Sequence, residues 1–363
     1  MRQSITTLPI SPTEKPHLGL CLMPFFMDML GKNLGLERVL SLNIQGLKYK
    51  LTSTQSEKIQ LAQNYANSLN KLDIFPDHIW RDDLNEFMLF AQNVLTDLLK
   101  QDKLKIANRT VIKCPCGKVE YLKGATNLSL KRRLFAESVD GKNCKSCGGM
   151  LVEKNIPVCL YPMTVTCRNK IIPSSAETSF NNMMRAFSGV EYLVSKTRVT
   201  HFSLNLPGQE ELGIDPDFLW SLMIPHLHSK GLPPKFVISS RKNLLASLSI
   251  AMVAESLGYS DTTFIFPPYL VGPNRTNVCD FGSVDSLIEQ FGKSTVRAFL
   301  VSSLNWQSTE ASARPEYLKY LGSLKPEVLE LAMQKISPND QKEIVKLDNL
   351  HFNKVLNCLR KEL

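Results

Sequence analysis

Short apolar runs alternate along this chain with longer stretches whose apolar residues return every three or four positions, the signature of strands interleaved with helices. Thr6 to Ile10 reads as a first strand, and Pro12 and Pro16 keep the following residues extended. From Leu18 to about Leu34 the spacing of Leu20, Phe25, Met27, Leu30 and Leu34 predicts a largely buried helix, weakened at its end by Gly31 and Gly35. Arg38 to Ile44 reads as a second strand, so the chain opens like a doubly wound α/β domain. Thr54 to Leu72 and Asp82 to Leu99 are amphipathic helices, and Val111 to about Met163 is richer in short strands and turns. Asn182 to Val194 is a further helical candidate and His201 to Leu206 a strand. Asp215-Pro216 supplies an N-cap and a first-turn proline for a helix running to about Ile224, where Pro225 intervenes.

Lys235 to Ile238, Lys242 to Leu257 and Thr262 to Phe266 then read as strand, helix, strand. This restores the β-α-β rhythm, so the expected fold is α/β, a Rossmann-like doubly wound parallel sheet split by an insert. The expected division is a first half at 1–80, a connective insert at 81–200, a second half at 201–305 and a C-terminal helical element at 306–363. In the second half, Ser283 caps a short helix and Ser294 to Leu304 forms another. The last two helices open at Pro326 and at Ser337-Pro338.

Composition changes this picture little. With 363 residues, 43% hydrophobic and 21% charged, the chain can bury a real core in two or three packed units. Its apolar stretch Leu18 to Leu30 is broken by Cys21, Pro24 and Asp28, short of the roughly 20 apolar residues of a membrane span. The N-terminus lacks the apolar core of a signal peptide, and a soluble cytoplasmic protein without membrane contact is expected. The net charge of +9 suits either a polyanionic partner such as tRNA or a solvated basic surface; the densest cluster is Lys131-Arg132-Arg133.

Nine cysteines are unevenly placed. Cys114-Pro115-Cys116-Gly117 and Cys144-Lys145-Ser146-Cys147-Gly148-Gly149 form two knuckles, each with a glycine just past its last thiol that lets backbone amides turn toward sulfur. Four thiolates suit tetrahedral zinc, and a filled shell leaves no open position for catalysis, so the expected role is structural. The other cysteines, Cys21, Cys159, Cys167, Cys279 and Cys358, read as single thiols.

The order of these pieces resembles class I aminoacyl-tRNA synthetases of the methionyl type. Pro16-His17-Leu18-Gly19-Leu20 stands where that family carries its HIGH signature, and Ser41-Leu42-Asn43-Ile44-Gln45-Gly46 where it carries GTDEHG. Glu57-Lys58-Ile59 and the helices after it lead into the knuckle insert. Val199 to Leu204 and Asp217-Phe218-Leu219-Trp220 resemble the segments that return the chain to the active site. Val284 to Leu300 resembles the stretch that follows the KMSKS loop.

The resemblance implies that His17 and Gly19 face ATP at a helix N-terminus. It implies that Asn43 stands where an acidic residue holds the substrate amino group, and that Pro273-Asn274-Arg275-Thr276-Asn277 replaces KMSKS without its lysines. Arg275 could supply one such charge. The family's GKD-type segment falls near Ser239-Ser240-Arg241 and Ala246, and it too is changed. An amino acid or aminoacyl adenylate and a tRNA acceptor arm are the implied partners, and residues Glu310 to Leu363 are too few for the family's anticodon-binding domain.

Since each lost charge typically removes a few kcal/mol of catalysis, a function redirected from tRNA charging is expected ahead of an active adenylate-forming ligase. Ser239-Ser240-Arg241-Lys242 fits neither a nucleophile-elbow nor a Walker pattern. His226 and His228 read as exposed or capping histidines sooner than metal ligands.

Overall fold

The computed structural model describes residues 2–45, 54–116, 119–123, 139–140, 142–145, 147–163, 168–187, 189–196, 204–272, 281–302, 306 and 308–336. In chain order, the elements begin with β1 (Ser4–Thr7), α1 (Leu18–Leu34), β2 (Glu37–Leu42), α2 (Gln55–Asn70), β3 (His78–Arg81) and α3 (Asn85–Lys100). The insert follows with β4 (Lys105–Lys113), β5 (Glu120–Leu122), β6 (Val139–Asp140), β7 (Asn143–Cys144) and β8 (Val152–Pro162). Next come β9 (Lys170–Ile172), α4 (Ser174–Phe187), β10 (Glu191–Leu193), β11 (Ser195–Lys196), β12 (Asn205–Leu206), β13 (Gln209–Ile214), α5 (Pro216–Leu219) and α6 (Met223–Ser229). The remainder is β14 (Pro234–Ile238), α7 (Leu244–Ser256), β15 (Thr263–Ile265), β16 (Tyr269–Val271), α8 (Val284–Phe291), α9 (Lys293–Ser302), β17 (Glu310–Ser312), α10 (Pro315–Gly322) and α11 (Pro326–Ile336).

Six strands form one sheet in the order β3-β2-β1-β14-β15-β9, every neighbouring pair parallel. The three strands expected to share a sheet therefore do so, and β1 and β14 meet at its centre although more than two hundred residues separate them. Neighbouring residues on each strand enter opposite cores. Leu40, Ile238, Ile265 and Ile172 pack with α1, α2, α8 and α9, whereas Val39, Val237, Phe264 and Ile171 pack with α3, α4 and α7. A parallel sheet buried on both faces has this near-continuous apolar character.

The predicted first helix is present with its predicted ends. Gly35 closes α1 in the left-handed conformation, φ 63°, its N–H bonded to the Gly31 carbonyl. At Gly31 a side chain would collide with Arg38, so the glycine permits α1 to lie close on the sheet. Pro24 sits inside this helix and cannot donate to the Leu20 carbonyl. The buried Tyr65 hydroxyl donates to that carbonyl instead, at 2.8 Å.

Three expectations are corrected. The helix sought at Asn182 to Val194 lies at α4, and Glu191–Leu193 is a strand paired antiparallel to β8, where pairing of Tyr192 with Tyr161 overrides local helical spacing. Pro225 does not end its helix: it falls in the first turn of α6, where no N–H donor is needed. The stretch 81–200 contains β9, a strand of the central sheet, so the sheet is re-entered before the second half begins. Of the expected strand His201 to Leu206, residues 201–203 lie outside the described residues, as do Ser337-Pro338 and Lys131-Arg132-Arg133.

The insert is an antiparallel sheet in the order β10-β8-β4-β5, with β6 and β7 forming a short hairpin. Among the described residues its own buried apolar clusters are small. One is Val111, Val158, Leu160 and Leu193; the other is Cys114, Val119 and Cys144.

Candidate functional site

The carboxyl ends of β1, β2 and β14 form the edge where ligands enter open α/β sheets. Past β1 the chain stays tied to both neighbours: Leu8 N–H donates to the Ile238 carbonyl at 2.8 Å and Ile10 N–H to the Ser41 carbonyl at 2.9 Å. It then turns through Pro16 into α1. His17 is the N-cap, and its Nδ1 accepts from the Gly19 N–H at 3.1 Å. Burial lowers the His17 pKa from its ordinary value, so the ring is neutral at pH 7. With Nδ1 accepting, the proton resides on Nε2, which is left as a donor beside the helix N-terminus.

A second segment reaches the same place. The Val284 N–H donates to the Pro16 carbonyl at 2.8 Å, and Ser283, which caps α8, bridges to His17. Gly282, φ 113°, makes the turn into that contact. The chain thus arrives beside α1 shortly after the segment that the resemblance aligns with KMSKS; Arg275 and its neighbours, 273–280, lie outside the described residues.

Asn43 follows β2 and is almost wholly buried. Its Nδ2 donates to Ser11 Oγ at 2.9 Å and its backbone N–H to the Ile10 carbonyl at 2.9 Å. A neutral amide can be buried this way with its hydrogen bonds made, whereas a carboxylate would need a cation.

Sequence reasoning missed the carboxylate that does stand at this edge. Asp82, just past β3, is fully buried; its Oδ1 accepts from the N–H groups of Ile44 at 2.6 Å and Gln45 at 2.9 Å. Burial pushes its pKa up to about 7, against the pull of those two N–H groups. Trp220 Nε1 lies 3.4 Å from Oδ2, and Gln45 Nε2 donates to the Asp82 carbonyl. Asp82 therefore pins the Asn43–Gln45 turn. The sequence pattern places a helix start at Asp82, because the pairing of β3 with β2 has no local sequence signature.

The other candidates have structural roles. Arg241 is buried and its guanidinium holds the carbonyls of Phe266 and Trp306 and the Ser175 hydroxyl. Ser239 Oγ accepts from Ser247 Oγ at 2.8 Å. His226 is a correction: it is buried, not exposed or capping, its Nδ1 accepting from Trp80 Nε1 at 3.0 Å. Burial lowers its pKa to about 4. His228 packs against Tyr259, their rings tilted at 47° with centroids 4.5 Å apart.

The four knuckle thiols come together, their sulfur atoms all within 4.8 Å of one another. Cys114 and Cys116 are 3.2 Å apart and Cys116 and Cys144 3.9 Å. A tetrahedron of Zn–S bonds of about 2.3 Å has sulfur edges of about 3.8 Å, so the set fits such an ion. The Val119 N–H points at Cys114 Sγ at 3.3 Å, the amide-to-sulfur bond expected of a knuckle. Gly148, φ 66°, turns the second knuckle, and Gly149 lies where a side chain would strike the Pro115 ring of the first.

No family model and no curated protein matches the chain, but solved structures do. It is similar to Mycobacterium tuberculosis methionyl-tRNA synthetase bound by methionyl-adenylate, with a TM-score of 0.69 and 15% identity over 93% of this chain and 72% of that one. A second structure of that enzyme with methionyl-adenylate gives 0.70 and 14% over the same shares, and its free state gives 0.66 and 12% over 99% and 79%. At such identities the likeness is one of fold: the chain has the fold of a methionyl-type class I synthetase core.

Proposed function

We propose that this chain is a divergent, cytoplasmic relative of methionyl-tRNA synthetase, redirected from tRNA charging and binding an aminoacyl, nucleotide or tRNA acceptor-type ligand. The observation that carries this reading is Asn43. The position that holds the substrate amino group in the family it resembles is here a neutral amide, buried and bonded to Ser11. Without a carboxylate there, an ammonium group gains no ion pair. The 273–277 segment holds one cation, Arg275, in place of the KMSKS lysines that neutralise a triphosphate.

What the site retains suits a ligand bearing an anionic oxygen. The Nε2–H of His17 and the N-terminus of α1 offer donors, and Gly19 leaves the backbone open to close approach. Asp82 keeps the Asn43 turn in place. The same features support the alternative, an active ATP-dependent ligase that forms an aminoacyl adenylate. Cys114, Cys116, Cys144 and Cys147 would hold a structural zinc, whose chemistry is to cross-link the two knuckles.

ATP–pyrophosphate exchange with a panel of amino acids separates the two readings. The proposal expects no exchange above background, together with a raised melting temperature on adding a non-hydrolysable aminoacyl-adenylate analogue. Exchange above background would establish the ligase. Absence of both exchange and analogue binding would remove the pocket from the account.

A further inference from the structure

The polar groups just past β2 and β3 do not balance. Asp82 Oδ1 takes the N–H groups of Ile44 and Gln45, whereas Oδ2 has only Trp220 Nε1 at 3.4 Å, longer than an ordinary N–H···O bond. The Gln45 amide lies against the same residue: its Nε2 donates to the Asp82 carbonyl and stands 2.8 Å from Met88 Sδ. This contact fixes which end of the amide is which, since swapping them would set two oxygens together. Gln45 Oε1 is then a buried acceptor without a donor among the described residues. Such an unmet group is costly, and the structure has a use for one more proton here.

The neighbouring carboxyl can supply it. A carboxylate only accepts, whereas its protonated form has an O–H to give. Burial holds the Asp82 pKa at about 7, so both forms are populated near neutral pH. The charged groups around it are few. Arg81 and Asp83, on its own strand end, pair with each other at 2.8 Å and pull its pKa in opposite directions. Glu86 of α3 is paired with Lys230 at 2.5 Å. The side chains in contact from the other elements, Gln45, Met88 and Trp220, carry no charge.

We propose that Asp82, Gln45 and Trp220 form a two-state hydrogen-bond switch at the edge of the parallel sheet. In the carboxylate state the Trp220 N–H is held on Oδ2 and Gln45 Oε1 goes unmet. In the acid state, with one proton taken up from solvent, the carboxyl O–H donates to Gln45 Oε1 and the indole is released. Oδ1 keeps the two loop N–H groups in both states, so the Asn43 turn stays and Trp220 alone changes partner. Trp220 is partly exposed, so its ring carries the change outward: this edge of the site is fastened above neutral pH and loosened below it. The switch uses no ligand, and it stands or falls apart from the reading of the pocket.

The test follows the three indole N–H signals of the full chain by NMR, with isotope-labelled tryptophan, from about pH 5.5 to 8.5. The Trp220 signal, assigned by its loss in Trp220→Phe, should move with a midpoint near 7. Trp80 is the internal reference: its Nε1 is held on His226, whose pKa is about 4, so its signal should stay still, as should that of Trp306. Asp82→Asn, whose Nδ2–H stands in for the carboxyl proton, should hold Trp220 at the acid position at every pH. Gln45→Leu removes the acceptor of that proton and should lower the midpoint by about one unit, tenfold in proton affinity. Burial alone predicts a midpoint unchanged or raised in Gln45→Leu, because leucine solvates the carboxylate no better. If Asp82→Asn melts early, Gln45→Leu with Asp82 intact decides the matter.

The proposal is overturned by a Trp220 signal that does not titrate, by all three signals moving together, or by a shift that survives in Asp82→Asn. A midpoint that holds or rises in Gln45→Leu overturns it equally. Because pyrophosphate exchange reads the pocket and the indole signals read the ligand-free protein, either proposal can fail alone.

Discussion

In the parallel-sheet body each strand sends alternate residues into one of two deep apolar cores, and the net charge is close to zero. In the insert the described buried clusters hold four residues and three, two of the three being cysteines, and the net charge is strongly positive. Burying a large apolar side chain contributes about 1.5–3 kcal/mol, while ordering each residue costs about 1–2 kcal/mol. The body meets that cost by burial. The knuckles cannot, and bonds from four thiolates to one ion would supply what their packing lacks. The contrast extends to the edge of the sheet, where Asn43 is neutral and internally bonded, while cations gather on the insert.

The largest expected break in this comparison is Cys144→Ser. Elemental analysis should find about one zinc per wild-type chain, and the variant should lose it along with several kcal/mol from the insert's unfolding transition. A wild type free of metal yet stable in the knuckle would contradict the reading.

Two buried titratable groups in the body should give opposing pH dependences, each of up to about 3–4 kcal/mol. The folded pKa of His226 lies near 4, below its unfolded value of 6.5, so its contribution is complete above 6.5 and lost as pH falls toward 4. The folded pKa of Asp82 lies near 7, above its unfolded value of 3.8, so its contribution is complete below 3.8 and lost as pH rises through 7. Between about pH 4 and 6.5 the two partly cancel. His226→Gln, which keeps an acceptor for Trp80, should remove the rise in stability with pH. Asp82→Asn should remove the fall. Denaturation midpoints at several pH values would show each effect.

Tyr65→Phe should cost about 1–3 kcal/mol, because it leaves the Leu20 carbonyl beside Pro24 without a donor. The same experiment on the insert's surface should do little. Lys123→Ala removes an exposed pair with Glu153 and should change stability by less than about 1 kcal/mol.

How far the sequence foretold these features depended on whether the signal was local. The first helix was legible because its apolar spacing and the glycine past its end are local; what the sequence could not show is that a distant tyrosine takes the carbonyl Pro24 leaves without a donor. The cysteine knuckles were legible because spacing and glycine turns suffice to recognise them. The parallel sheet followed from the order of strands and helices. The short edge strands β3, β9 and β10 did not, since pairing partners far along the chain decide them. At the candidate site, the place of His17 at a helix start was legible from the strand and proline before it. Asp82 was not, because its importance comes from two backbone N–H groups on the neighbouring loop.

Hydrogen exchange on the wild-type chain, read segment by segment with and without a zinc chelator, tests the contrast between body and insert most directly. Chelation should strip protection from the knuckle amides, those of Cys114, Val119 and Cys144 foremost, while Thr6, Val39 and Val237 in the parallel sheet keep theirs. Protection unchanged in the knuckles, or lost equally in the sheet, would contradict it.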